Sequence, residues 1–171
     1  MSSAVKEWIG LLARLLTGGV WIAAGAVKLP APHESVAAVR AYDLLPEVVV
    51  PTVGQLLPVL EVVIGLALVL GVLTRGASVV SAVLFAAFII AIASVWARGM
   101  TIDCGCFGGG GADPDAASQY PWEIARDAGL LLASAYLVAL PRTRLALDNL
   151  LFQRRTPLPL DLTDPIPEGE R

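Results

Sequence analysis

The chain has 171 residues, enough for one domain or two small ones, and 56% of them are hydrophobic, against the roughly 45–50% usual for soluble domains. Only 16% are charged and the formal net charge is -3, so no basic surface is available to bind nucleic acid. Two cysteines and one histidine are too few for a disulfide-dense scaffold, or for a four-ligand zinc site built from this chain alone. The composition therefore indicates a small, membrane-embedded protein.

The first apolar segment covers residues 8–27 and carries one charge, Arg14. About twenty residues, at about 1.5 Å each in a helix, cross a hydrocarbon core of roughly 30 Å. A cleaved signal peptide is the alternative interpretation, although Arg14 and the pair Gly18-Gly19 interrupt the compact apolar run of such a peptide. Apolar residues between positions 32 and 45 then recur at roughly helical spacing among charged ones, which predicts a short helix lying in the outer interface of the membrane.

Two further spans are predicted at residues 48–73 and 77–97. The former contains a single carboxylate, Glu61, and the latter has no charge at all. Only residues 74–76 separate the two spans, so we expect an antiparallel helical hairpin with its turn at these three residues.

A fourth span is expected at residues 122–140, where charged residues occupy the first turns and the rest is apolar. The predicted fold class is thus all-α: an integral membrane four-helix bundle over residues 1–155, with the short interfacial helix in its first outer loop. The proline-rich and acidic residues 156–171 are predicted to form a disordered cytoplasmic tail.

Lysine and arginine are more numerous on the side of the predicted bundle that holds both termini, and Arg14 can extend towards that side. Cytoplasmic segments of membrane proteins carry this excess of positive charge. We therefore expect a multi-pass protein of the bacterial plasma membrane, whose termini are cytoplasmic and whose loops 30–46 and 98–121 lie outside.

Reactive side chains cluster in one place, the sequence Asp-Cys-Gly-Cys-Phe-Gly at residues 103–108, which three more glycines follow. Cys104 and Cys106 can close a disulfide only as a very small ring, for which Gly105 supplies the backbone freedom. Strained small-ring disulfides tend to be oxidising, as exchangeable redox pairs are. The glycine run would also let the backbone of a partner approach closely.

Other interpretations of the two cysteines stay open. They could form a static disulfide that only shapes the loop. They could bind a soft metal such as copper(I) or zinc, for which a partner would have to supply ligands because His33 is the sole histidine. If the pair is reactive, Arg98, Arg126 or a helix end nearby would favour the thiolate.

Three charged residues within the predicted spans are candidate ligand-binding groups: Glu61, Arg126 and Asp127. Glu61 lies near the middle of the second span, where an ionisable group costs about a few kcal/mol at least and faces the bundle interior or a polar cavity. It could pair with Arg14, Lys28 or Arg126 and fix helix register, or it could transfer protons or bind a ligand. Arg126 and Asp127 either anchor the fourth span at the interface or line the mouth of a cavity below the cysteines.

Four stretches of the chain resemble the MauE branch of the DoxX-like membrane proteins. They are GAVKL at residues 25–29, VAAVRAYDLLP at 36–46, PVLE at 58–61 and CGCFG at 104–108. The resemblance covers roughly residues 10–140, and the Cys-Gly-Cys-Phe-Gly element before the last span is its most specific part.

This resemblance implies a four-helix integral membrane protein. The MauE group is implicated in the maturation of methylamine dehydrogenase, whose small subunit is rich in disulfides, and a thioredoxin-like partner is associated with that task. The resemblance thus implies that Cys104 and Cys106 move reducing or oxidising equivalents to extracytoplasmic thiols. It leaves the direction of electron flow open and does not by itself imply methylamine metabolism.

The leading hypothesis is a membrane redox subunit in which Cys104 and Cys106 are the catalytic pair that exchanges disulfides with an extracytoplasmic thioredoxin-like partner, supporting the maturation of exported proteins. A quinone in the upper bundle, near Glu61, Arg126 and Asp127, is the electron sink or source that we expect. The alternative is a non-catalytic accessory or scaffold subunit of a redox or respiratory complex, with a static disulfide that shapes its docking loop.

Overall fold

The computed structural model describes residues 3–139. The predicted tail at 156–171, and the last part of the predicted membrane domain at 140–155, lie outside the described residues. The elements, in chain order, are α1 (Ser3–Lys28), α2 (Pro32–Ala41), α3 (Val50–Leu70), α4 (Thr74–Ala97), β1 (Ile102–Asp103), β2 (Gly111–Ala112) and α5 (Ala116–Ala139).

Three of the helices, α1, α3 and α4, are long and apolar enough to cross a membrane. They correspond to the first three predicted spans. The fourth predicted span falls within α5, which has 24 residues. Length and composition alone do not identify α5 as a span, because Glu123, Arg126 and Asp127 interrupt its apolar sequence. The predicted short helix of the first loop is present as α2, over residues 32–41.

The connection between α3 and α4 lies three residues earlier than predicted. The α3 helix ends before Gly71, whose left-handed φ of 71° lets its amide donate to the Leu68 carbonyl, while the Val72 amide donates to the Ala67 carbonyl. This paired arrangement is a Schellman motif, and it favours glycine because the left-handed conformation crowds a Cβ atom. The prediction of a turn at residues 74–76 was therefore wrong, because α4 already begins at Thr74.

Helices α1 and α3 pack antiparallel, with small residues at their closest approach. A Cβ atom added at Gly18 would lie 2.9 Å from the Gly65 carbonyl oxygen, and one added at Gly25 would lie 2.7 Å from the Pro58 carbonyl oxygen. Backbones this close leave no room for larger side chains, as is common where membrane helices pack without a hydrophobic driving force between them.

Polar contacts join α1, α4 and α5 inside the bundle. The indole of Trp21 donates a hydrogen bond to Ser81 Oγ at 2.7 Å, and Ser81 Oγ lies 2.9 Å from Ser134 Oγ. All three side chains are buried. Arg14 is also inside the bundle, with 1% of its surface exposed.

A two-stranded antiparallel ribbon holds the cysteine loop at the end of the bundle. Strands β1 and β2 pair Ile102 with Ala112 and Asp103 with Gly111. The loop between them packs closely on α2: a Cβ atom added at Gly110 would lie only 2.5 Å from Ala38 Cβ. The ribbon is a small addition to the mostly helical fold, and the sequence did not predict it because two residues per strand are too few to produce an alternating pattern.

We predict that Gly65→Ala destabilises the protein by about 1–3 kcal/mol, because the new methyl group would overlap the Gly18 carbonyl and the Ile22 backbone. Gly19→Ala is the matched control: it lies exposed on the same helix pair with open space around it, and a helical alanine is favoured over glycine by about 0.5–1 kcal/mol. Thermal unfolding in detergent, followed by circular dichroism, compares them. Equal midpoints for the two variants would contradict the close packing of α1 on α3.

Candidate functional site

The two cysteines occupy a tight loop whose backbone only glycine tolerates at several positions. Gly105, between them, has a φ of 65°, in the left-handed region. Its amide donates to Asp103 Oδ1 at 2.9 Å, and the Cys106 amide donates to Cys104 Sγ at 3.3 Å. A hydrogen bond also joins the two thiols, which a single residue separates.

Two tyrosines that the sequence analysis did not single out fix this loop. The Tyr120 hydroxyl of α5 accepts a hydrogen bond from the Ile102 amide at 2.9 Å and lies 3.0 Å from the Met100 carbonyl oxygen. The Tyr42 hydroxyl, just beyond α2, donates to the Cys104 carbonyl at 3.0 Å. Burial raises the pKa of Tyr42, so that its hydroxyl keeps the proton that it donates.

The surroundings of the two sulfurs differ. The pKa of the Cys106 thiol is lowered, first because the Cys104 thiol donates a hydrogen bond to its sulfur and further because the positive charges of Arg126 and Lys28 are close. The pKa of Cys104 is raised by that same hydrogen bond with Cys106 and by burial. A thiolate is therefore favoured more on Cys106 than on Cys104.

Arg126 and Asp127 lie on α5 beside the cysteine loop, as the sequence predicted. They form an ion pair with Arg126 Nη2 2.8 Å from Asp127 Oδ1. The guanidinium also stacks over Phe107, 5.1 Å from the ring centroid. Of the two arginines expected to favour the thiolate, Arg126 contributes to the charge environment of Cys106, whereas Arg98 donates to the Tyr42 carbonyl instead.

Glu61 pairs with Lys28, one of the three partners considered from the sequence. Lys28 Nζ lies 2.7 Å from Glu61 Oε1, and the two side chains are 7% and 0% exposed. The ammonium also lies 5.9 Å from the centre of the Phe88 ring. Because a buried charge needs a partner of opposite sign, this contact ties the end of α1 to the middle of α3.

A cavity of about 300 Å³ lies between α2, α3, α4 and the cysteine loop. Its walls are mainly aliphatic, and its border includes Lys28, Tyr42, Cys104 and Cys106. None of the three residues predicted to bind a quinone, Glu61, Arg126 and Asp127, borders it. Arg126 and Asp127 instead line a gap of about 20 Å³ beside Cys106, among Trp21, Phe85 and Phe107.

Within residues 3–139, His, Cys, Asp and Glu side chains do not gather in any group of three or more that could hold a metal ion. A metal bound by the two cysteines would therefore need further ligands from a partner, or from outside this part of the chain. The sequence analysis mentioned Lys28 only as a candidate partner of Glu61, and it missed Ser35 and Tyr42. Only the fold reveals that these side chains meet the cysteines at one cavity.

The fold and the site together define a helical membrane protein that carries a two-cysteine loop at one end of its helix bundle. Residues 6–140 match the family model described as methylamine utilisation protein MauE, and the chain belongs to that family. This confirms the MauE resemblance of the sequence.

Two relatives show the extent of the similarity. The methylamine utilization protein MauE of Methylophilus methylotrophus is 35% identical over 144 residues, covering 82% of this chain and 74% of the relative. The protein of the same name from Paracoccus denitrificans is 35% identical over 102 residues, covering 59% of this chain and 55% of the relative. No solved structure gives a significant match.

We predict that Lys28→Met destabilises the protein by about 3–5 kcal/mol, because it leaves the Glu61 carboxylate buried without its partner. The double variant Lys28→Met, Glu61→Leu should recover most of this loss, since an apolar pair carries no unpaired charge. Thermal unfolding in detergent measures both. The exposed pair between Arg40 and Glu47 is the control: Arg40→Met should change the midpoint little. A double variant no more stable than Lys28→Met would contradict this account.

We predict that one of the two thiols reacts with iodoacetamide at a lower pH than an ordinary cysteine, because the lowered pKa of Cys106 keeps its thiolate present as the pH falls. Cys104→Ala should move this pH midpoint upwards, because it removes the hydrogen bond that contributes most to the lowering. Alkylation rates between about pH 5 and 10, resolved by mass spectrometry, test this. A midpoint unchanged by Cys104→Ala would contradict the assignment.

Proposed function

We propose that this protein is a membrane redox subunit that exchanges disulfides with a thioredoxin-like partner on the outer side of the membrane. The observation that carries the proposal is the pair of thiols in the glycine loop: Cys104 and Cys106 contact each other, and a hydrogen bond and nearby positive charges stabilise the thiolate on one of them. Reactive cysteines need this kind of electropositive, partly exposed surrounding, whereas structural ones do not.

The proposed arrangement in the membrane has four spans, α5 being the fourth. Its charged residues lie in the first half of the helix, near the cysteine loop, and Trp122, at the beginning of the sequence that we assign to the span, is 72% exposed, as an interfacial anchor would be. With four spans, both termini are on the same side of the membrane, and the excess of lysine and arginine there makes it the cytoplasmic side. In this arrangement α2 lies in the outer interface with the cysteine loop. The bacterial plasma membrane provides such an outer face, on the oxidising side where exchangeable disulfides operate.

In the proposed reaction, a thiolate of the partner attacks Cys104 Sγ in the Cys104–Cys106 disulfide, and Cys106 leaves as the thiolate. The lower-pKa sulfur is the better leaving group, which assigns the attacked position to Cys104. The second thiol of the partner then attacks the mixed disulfide and releases Cys104. The partner loses two electrons and two protons, and the loop becomes the dithiol. The strain of so small a disulfide ring favours this oxidising direction.

The surface around the loop suits a protein partner. Phe107 is 46% exposed, and several of the neighbouring glycines present backbone without side chains. A partner can therefore approach the sulfurs closely through main-chain contacts, as extended segments do at other recognition sites. The names of the relatives connect them with methylamine utilisation, and we propose that the partner here serves the maturation of exported proteins, in that system or in a comparable one.

We predict that Cys106→Ser traps a mixed disulfide at Cys104, because the sulfur that would resolve it is gone, whereas Cys104→Ser traps several-fold less. The variants, in lipid nanodiscs and with the remaining cysteine activated as an aromatic disulfide, are incubated with a thioredoxin that retains only its attacking active-site cysteine, and non-reducing electrophoresis resolves the products.

The matched control is the chain with both cysteines replaced by serine and an exposed cysteine introduced by Ala117→Cys, which measures non-specific capture. Capture by Cys106→Ser no greater than by this control would overturn the proposal and favour the scaffold. Wild-type activity of the double serine variant in the maturation of exported proteins would do the same.

A further inference from the structure

We propose that the cavity between α2, α3 and α4 binds a membrane quinone, with the ring at the cysteines and the tail towards the middle of the bilayer. The oxidation of the cysteines by this quinone rests on the proposed function, whereas the binding site is argued from the cavity itself. Its volume of about 300 Å³ is at the lower end of the roughly 300–1,000 Å³ typical of small-molecule sites.

The cavity is shaped for an elongated apolar molecule. Along α4 it extends from Ala91 to Leu84, about 10 Å at about 1.5 Å per residue, and on the α3 side Leu57 and Pro58 face it. Ala87, in the middle of α4, borders the cavity and is exposed on the surface of the protein. Since α4 is one of the apolar spans, this opening meets lipid, and a molecule dissolved in the bilayer can enter sideways.

The end of the cavity nearest the cysteines is polar. Lys28 and Ser35 border it, and both are 6% exposed. Ser35 Oγ is buried and has no hydrogen-bond partner within residues 3–139, although a buried hydroxyl normally has one. The Lys28 ammonium and the unpartnered Ser35 hydroxyl can both donate a hydrogen bond to a ketone oxygen. A ring that carries carbonyl groups therefore satisfies these two donors, whereas an acyl chain of a phospholipid offers them no acceptor in its apolar part.

Glu61 is a positioning residue for this site. It does not border the cavity, but its Oε1 holds Lys28 Nζ at 2.7 Å, and Lys28 borders both the cavity and the region of the thiolate of Cys106. The proposed position differs from the one expected near Glu61, Arg126 and Asp127: none of these residues lines the cavity, and the space beside Arg126 and Asp127, about 20 Å³, is too small for a ring.

The quinone is the only oxidant that the reaction at this site requires. The dithiol of Cys104 and Cys106 loses two electrons and two protons and becomes the disulfide, and the quinone takes both and becomes the quinol. Cys106 is the sulfur that borders both the cavity and the positive charges of Arg126 and Lys28, which suits it to give up electrons to the ring. The loop then returns to the disulfide form that oxidises the next partner.

Binding of decylubiquinone by the full-length protein in nanodiscs of synthetic phosphatidylcholine tests the site, with isothermal titration calorimetry as the readout. We expect Ala91→Phe, which fills the cavity, to weaken binding at least about tenfold. Ala93→Phe, an exposed position on the same helix outside the cavity, is the matched control and should stay within about twofold. Ser35→Ala, which removes only the unpartnered hydroxyl, should weaken binding several-fold without lowering the unfolding temperature.

Two outcomes overturn the quinone site: binding unchanged in both Ala91→Phe and Ser35→Ala, or equally tight binding of decylbenzene, which has the tail and no carbonyl groups. Should Ala91→Phe fail to fold, Ser35→Ala and decylbenzene still decide the question. Repeating the titration with the double serine variant separates this proposal from the function: binding that persists while Cys106→Ser fails to trap the thioredoxin supports the site and overturns the exchange. If quinone binding is absent while Cys106→Ser traps the thioredoxin normally, the exchange is supported and the quinone site is overturned.

Discussion

The buried ion pair between Lys28 and Glu61 joins α1 to α3 at the end of the bundle where the cysteine loop sits. A charge in a membrane-spanning helix is tolerated only where a partner or a polar cavity compensates its lost hydration, and here each residue is the partner of the other. The close backbones of α1 and α3 at Gly25 hold the two side chains at the distance where this compensation works. The ammonium, held in this way, borders the cavity and adds positive charge near Cys106.

The loop itself is fixed from several sides, which is why two cysteines can have different chemistry. Tyr120 of α5 holds strand β1, Tyr42 holds the Cys104 carbonyl, and Ala38 of α2 packs against the glycines. With the backbone held, the Cys104 thiol donates to Cys106, and the guanidinium of Arg126 lies on the side of Cys106. The asymmetry assigns one sulfur to the proposed partner and the other to the proposed quinone, so a single pair serves both.

The apolar cavity lies next to the cysteine loop. The cavity, of about 300 Å³, is bordered by both sulfurs and by Ala87, an exposed residue of α4. The match to the MauE family model, over residues 6–140, covers both the helices that line the cavity and the cysteine loop.

The sequence was enough to predict the apolar helices, the short helix of the first loop and the pair Cys104 and Cys106, because each depends on local composition or spacing. It also pointed to Glu61, since one carboxylate among apolar residues is conspicuous. It misplaced the turn after α3, because Gly71 is hidden in an apolar run. The folded structure was needed to show that Lys28 is the partner of Glu61. It was also needed to show that Ser35 and Tyr42 border the cavity, whereas Arg126 and Asp127 do not. These contacts join residues far apart in the chain, and their geometry follows from how α1, α2, α3 and α5 pack. No local pattern in the sequence predicts that packing.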